Sequence, residues 1–137
     1  MTESGGGSQQ MAPAAVPATQ APAPDPAYVV GIGSSAGGLE ALRPLIRALQ
    51  PDADCALVIA QHLSPQHESL MTPLLARETD IPVQLVEDGA PLRRGHIYVT
   101  PPNADVSVLD GCLRLHAPGS GHGPRPSVNL LLQSLAR

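Results

Sequence analysis

Phenylalanine, tryptophan and lysine are absent from this chain, and tyrosine occurs only twice in 137 residues. A hydrophobic core must therefore be aliphatic, built from Leu, Val, Ile and Ala. The eight positive charges are all arginine and face twelve acidic residues, for a net charge of −4. That balance excludes the broad basic surface that nucleic acid requires. No apolar run reaches the ~20 residues needed to span a bilayer, so membrane insertion is not expected. The N-terminus has neither a charged n-region nor an apolar stretch, and does not read as a secretory signal. Cysteine is scarce too. Cys55 and Cys112 are too few for a disulfide scaffold, and a reducing cytoplasm is the default compartment.

The chain is long enough for one domain. Residues 1–27 differ in kind from the rest: twenty of the 27 are Ala, Pro, Gly, Ser or Gln. Such a stretch cannot bury enough surface to offset its ordering entropy, and its five prolines deny it a helix. It reads as a disordered tail, with the domain occupying residues 28–137. At Tyr28 the character changes. Tyr-Val-Val-Gly-Ile-Gly is a short apolar run that reads as a buried parallel strand.

Alternation follows. Leu39, Leu42, Ile46 and Leu49 form a helical stripe, in which Pro44 belongs in or near the first turn. Cys55-Ala-Leu-Val-Ile-Ala reads as a second buried strand. A second helix is expected from Ser64-Pro65, an N-cap and N1 pair, with Leu70, Met71, Leu74 and Leu75 turned inward. Pro82-Val-Gln-Leu-Val and His96-Ile-Tyr-Val-Thr read as the third and fourth strands. Asp110-Gly111 between Asp105-Val-Ser-Val-Leu and Cys112-Leu-Arg-Leu-His marks a hairpin. Pro118 to Pro126 reads as loop. Ser127 caps a last helix with Val128, Leu131, Leu132 and Leu135 on one face. The order argues an α/β domain, Rossmann-like and doubly wound, with a mostly parallel sheet, flanking helices and a β-hairpin. Its last helix ends the chain inside an apolar pattern, as expected of a domain whose C-terminal part is missing.

Chemistry concentrates after the first strand, at Gly31-Ile-Gly-Ser-Ser-Ala-Gly-Gly. A dinucleotide-binding turn is one reading, but Gly37 falls one residue late for G-x-G-x-x-G. Gln61 and His62 also stand where a ribose-binding acid belongs, so no nucleotide cofactor is expected. The other reading takes Gly33-Ser34-Ser35-Ala36-Gly37 as G-x-S-x-G, a serine on a tight strand-to-helix turn. The following helix offers backbone N–H groups and the positive end of its dipole to a developing oxyanion. Against this stands the simpler role of Ser34 and Ser35 as helix caps.

A serine nucleophile needs a base, and His62 directly follows the second strand. In a parallel sheet Ser35 and His62 then share the carboxyl edge, where open α/β proteins place ligands. His67, His96, His116 and His122 fit ordinary structural or exposed positions. No metal is expected: His62 and His67 are five apart and there is no Cys-x-x-Cys. Cys55 and Cys112 read as small reduced hydrophobes.

Taken together, Val29 to Leu42, Val58-Ile-Ala-Gln-His-Leu-Ser-Pro, His67-Glu-Ser-Leu, Val86-Glu-Asp-Gly, Gly95-His-Ile-Tyr-Val-Thr-Pro-Pro-Asn and Arg125-Pro-Ser-Val resemble the CheB-type chemotaxis methylesterase domain. Gly38-Leu-Glu-Ala-Leu and Tyr98-Val-Thr-Pro-Pro-Asn look most like that domain in proteins fusing it to a CheR-type methyltransferase. The resemblance implies a serine hydrolase that removes glutamate γ-methyl esters from chemoreceptors and deamidates receptor glutamines. Ser35 becomes the nucleophile and His62 the general base. Ala36 stands where the family often has Thr, and keeps only its backbone N–H for the oxyanion. Arg125 is carried over as a substrate contact. The implied partners are the cytoplasmic helices of methyl-accepting receptors, a CheR-type methyltransferase domain and a signalling kinase.

Two departures accompany the resemblance. The family's triad aspartate lies beyond the last helix, and no Asp or Glu follows Asp110 here. A weakly active or inactive chain, with unpaired strand edges and poor stability alone, is therefore expected, and a non-catalytic module binding receptors or signalling partners is the alternative. The 27-residue tail is also too short for the family's N-terminal receiver domain, so phosphoryl control in cis is not expected.

Overall fold

A computed structural model describes residues 23–62, 70–119 and 125–137. Strand β1 (Tyr28–Ser34), helix α1 (Gly38–Ala48), strand β2 (Cys55–Gln61), helix α2 (Met71–Ala76) and strands β3 (Val83–Leu85) and β4 (His96–Val99) come first. The hairpin strands β5 (Asp105–Leu109) and β6 (Cys112–His116) follow, then helix α3 (Val128–Leu135). Strands β1 to β4 form one parallel sheet in the order β1-β2-β4-β3. The α/β class expected from the sequence is the one observed, hairpin included.

Strand β2 organises the interior because it is apolar on both faces. Leu57 and Ile59 pack with Ile97 and Val99 against Leu42 and Ile46 of α1 and Met71 and Leu75 of α2. Ala56, Val58 and Ala60 point the other way, with Tyr98, onto Val106, Leu113 and Leu131. The sheet is therefore the middle of three layers, with α1 and α2 on one side and the hairpin and α3 on the other. Tyr98, the single buried aromatic ring among the described residues, accepts a hydrogen bond from the Arg93 N–H at 2.9 Å through its hydroxyl. Burial pushes its phenol above the ordinary range.

The hairpin turn is formed by Asp110 (φ 50°) and Gly111 (φ 72°). Positive φ at both central residues is what a type I′ turn requires, and Asp-Gly supplies it at low strain. Helix α3 begins where Ser127 Oγ accepts from the Leu130 N–H at 3.3 Å, as the cap pattern predicts. The helix lies close on β1 because that strand presents glycine to it. A Cβ on Gly33 would sit 2.3 Å from Val128 Cγ1, and one on Gly31 would sit 2.6 Å from Leu135 Cδ1.

The structure departs from the sequence-based expectations in four places. Strand β1 is not buried: Tyr28 is 71 % and Val30 41 % exposed, because among the described residues the strand pairs with β2 alone. Pro44 lies well inside α1, in its second turn, where the missing N–H leaves the Glu40 carbonyl without its helical donor on an exposed side of the helix. Helix α2 begins at Met71, with Leu70 as an exposed N-cap rather than an inward residue. Its expected start at Ser64-Pro65 lies outside the described residues. Residues 23–27, assigned to the tail, are tied to the domain: the Pro24 carbonyl accepts from the Arg94 N–H at 2.9 Å, and the Ala27 N–H donates to Asp54 Oδ1 at 3.0 Å. Residues 1–22, the rest of that expected tail, lie outside the described residues.

Candidate active site

The parallel register of β1 and β2 runs to their last residues, Ser34 opposite Gln61. One further bond, from the His62 N–H to the Ser34 carbonyl at 2.8 Å, carries the pairing to the sheet's carboxyl edge. Ser35 and His62 are therefore the first residues beyond two hydrogen-bonded neighbouring strands. The bend after Ser35 is closed by the Gly38 N–H donating to the Ser35 carbonyl at 2.8 Å, and it passes through Gly37 at φ 79°. Among the described residues, nothing beyond its chain neighbours lies within 4 Å of where a Gly37 Cβ would be, so glycine serves the backbone angle there. Gly38 answers a different need, since a Cβ there would come within 2.5 Å of Gln61 Oε1.

A cleft of about 580 Å³ opens at this edge. Ser35, Ala36 and His62 line it together with Gln61, and Leu39, Leu70, Met71 and Leu74 form its apolar walls. Glu40 is the one acidic or basic side chain among the described residues lining it, apart from His62 itself. Helix α1 starts beside Ser35, so the positive end of its dipole faces the same opening. The structure thus brings Ser35, Ala36 and His62 into one cleft.

Arg125 is placed differently and does not line that cleft. Its Nη1 meets Asp105 Oδ2 at 2.7 Å and its Nη2 donates to the Gly119 carbonyl at 2.6 Å. Asp105, buried at the start of β5, accepts the Ser127 N–H at 2.6 Å with its other oxygen. This clamp fixes the chain just before α3, whose first residue packs on Gly33. The remaining histidines take ordinary partners where they are described. His96 Nδ1 meets the Arg94 carbonyl at 2.9 Å and His116 Nε2 meets Ser107 Oγ at 2.7 Å. His67 and His122 lie outside the described residues.

Two features of the structure were not anticipated. The first is Asp105, hidden in a strand that otherwise reads as half of a hairpin. The second is Gln61, whose buried side chain accepts from Ser34 Oγ and donates to the Ser35 carbonyl at 2.8 Å and the His62 carbonyl at 3.3 Å. A polar residue closing an apolar strand was the available signal for it.

The fold and the cleft together define an α/β domain with a serine and a histidine at adjacent strand ends of its parallel sheet. The chain belongs to the CheB methylesterase family, whose model matches residues 30–137. It is 33% identical over 109 residues to a protein-glutamate methylesterase/protein-glutamine glutaminase of Anaeromyxobacter dehalogenans, covering 80% of this chain and 32% of that protein. Over 132 residues it is 33% identical to the corresponding protein of the group 3 operon of Pseudomonas putida, covering 94% of this chain and 39% of that one. Its structure is similar to the crystal structure of the CheB methylesterase catalytic domain of Thermotoga maritima, with a TM-score of 0.69 and 26% identity. That match covers 79% of this chain and 59% of the Thermotoga chain. The chain therefore spans about a third of the length of the curated relatives it matches. Among the described residues, no helix is long and apolar enough to cross a membrane.

Proposed function

We propose that this chain carries the serine and the histidine of a protein-glutamate methylesterase that acts on chemoreceptors. Ser35 Oγ attacks the γ-ester carbonyl of a methylated glutamate while His62 takes its proton. The tetrahedral oxyanion is received by the Ala36 N–H at the start of α1. Collapse of that intermediate breaks the bond to methoxide, which leaves as methanol with the proton from His62. Water, activated by the same imidazole, then splits the glutamyl–Ser35 ester and leaves a free glutamate. With glutamine in place of the ester, the same sequence releases ammonia. The substrates are the cytoplasmic helices of methyl-accepting receptors, so the work is done in the cytoplasm. A CheR-type methyltransferase domain and a signalling kinase are the natural partners.

One observation carries the reading: Ser35 and His62 extend register-paired strands and line one cleft in a chain that belongs to the CheB methylesterase family. The test is methanol release from a methylated receptor peptide by the purified chain. Ser35→Ala should reduce that release to the background rate, because the remaining groups cannot form the covalent intermediate. Equal release by the variant sinks the assignment. A second reading, a module that binds receptors without turnover, draws on one fact: among the described residues no carboxylate hydrogen-bonds the His62 ring. Loss of an orienting aspartate lowers kcat by about 10⁴-fold in serine proteases. Receptor binding with no methanol release from the same preparation would decide for the second reading.

A further inference from the structure

We infer that Gln61 is a positioning residue, whose side-chain amide holds the segment carrying Ser35 in fixed relation to the segment carrying His62. The inference rests on the esterase reading and adds to it a part of the site that neither the serine nor the histidine supplies. Gln61 is 6 % exposed and closes β2, one residue before His62. Its Oε1 accepts from Ser34 Oγ, and its Nε2 donates to the Ser35 carbonyl at 2.8 Å and to the His62 carbonyl at 3.3 Å. One acceptor and both donors of the amide are thereby used on Ser34, Ser35 and His62. The Ser35 carbonyl takes the Gly38 N–H as well, so the turn and the clasp meet on a single oxygen.

Neighbouring residues have the character this clasp requires. Gly38 has no side chain where one would collide with Oε1 at 2.5 Å. Ser34 supplies the hydroxyl that the amide oxygen needs. Glutamate could replace neither donor, and would set its charge against two carbonyls. Asparagine is a methylene too short to span the same three partners. A burial role alone would call for an apolar residue here, in a strand whose five preceding positions are all buried and apolar. The geometric stake is large, since displacement of reacting groups by about 1 Å can lower a rate by about 10²-fold.

The test uses the whole chain and a fluorophosphonate probe, which loses fluoride as Ser35 Oγ bonds to phosphorus. Gln61→Met, equal in size and without hydrogen bonds, should lower the saturating capture rate by about 10²-fold. Its half-saturating probe concentration should stay within about twofold, once rates are referred to the folded fraction. Gln61→Glu should not restore the rate. Ser34→Ala, a milder change that keeps the fold, should fall between wild type and Gln61→Met. A readout independent of turnover is the NMR shift of the His62 ring on Ser35→Ala: present in the wild-type background, it should vanish in Gln61→Met. Wild-type capture by folded Gln61→Met, full rescue by glutamate, or an unchanged His62 response overturns the inference. Capture of the probe by Ser35→Ala at the wild-type rate instead overturns the esterase reading, whatever Gln61 does.

Discussion

Gly33 and Gly37 answer two different physical demands, and substitution separates them. Gly33→Ala should be the more damaging, because its Cβ would lie 2.3 Å from Val128 and force α3 off the sheet. Overpacking of this kind costs about 1–3 kcal/mol. Among the described residues, Gly37→Ala meets nothing within 4 Å and strains a backbone at φ 79°. Its cost is about 1–2 kcal/mol, the steric penalty of an L-residue in the left-handed region. Urea denaturation checks the order of the two; a Gly37 variant less stable than the Gly33 variant would contradict it. From sequence, the glycine cluster offers a phosphate turn or a serine elbow as explanations. The close approach of α3, nearly a hundred residues later in the chain, could not be read there, because a packing partner leaves no mark on the segment it packs against. Ser35 and His62 were legible for the opposite reason: each follows its own strand, and adjacency of the two strands sufficed to bring them to one edge.

At the level of elements, ion pairs add to the apolar packing that joins the pieces around the site. Glu78, just beyond α2, accepts from Arg43 Nε at 2.7 Å and from Arg47, both on α1. The Arg43 hydrogen bond, followed by that of Arg47, holds its carboxyl below the ordinary value of 4.5. A lowered folded-state value means that the contribution is fully present above the unfolded value and is lost as pH falls from there through the folded one. Glu78→Gln should therefore flatten the fall in stability below about pH 4.5. The checking measurement is thermal melting from pH 6 to pH 3, and parallel curves for the two proteins would remove the linkage. On the other side of the sheet, Asp105→Ala should cost about 1.5–3 kcal/mol, since it strips a charged acceptor from Arg125 and from the Ser127 N–H. The beginning of α3 should then lose amide protection in hydrogen exchange before the parallel sheet does. Strands, hairpin turn and the Ser127 cap were legible because their signals lie within a few residues. Pro44 inside α1 was not, since the packing of Leu42 and Ile46 holds that helix against local preference.

Among the described residues, the parallel sheet has one long open edge. Strand β3 ends one edge with three residues, whereas β1 ends the other with seven and, among the described residues, is paired only to β2. The apolar run Tyr-Val-Val-Gly-Ile-Gly reads as an interior strand, and pairing on both sides cannot be told from pairing on one by composition. Here half of it faces solvent: Tyr28 and Val30 are exposed, while Ile32 packs on the α1 layer. A long edge strand with apolar side chains and free backbone groups is a template for another chain. The purified chain should accordingly self-associate as its concentration rises through the micromolar range. Val30→Lys should suppress that association, because a charge on the strand must be desolvated whenever a second chain pairs there. Val30 is already 41 % exposed, so the substitution should leave the melting temperature nearly unchanged. Light scattering beside thermal melting separates the two effects. A wild-type chain that stays monomeric at the highest concentration, or a Val30→Lys variant that associates equally, would show that β1 is protected in solution.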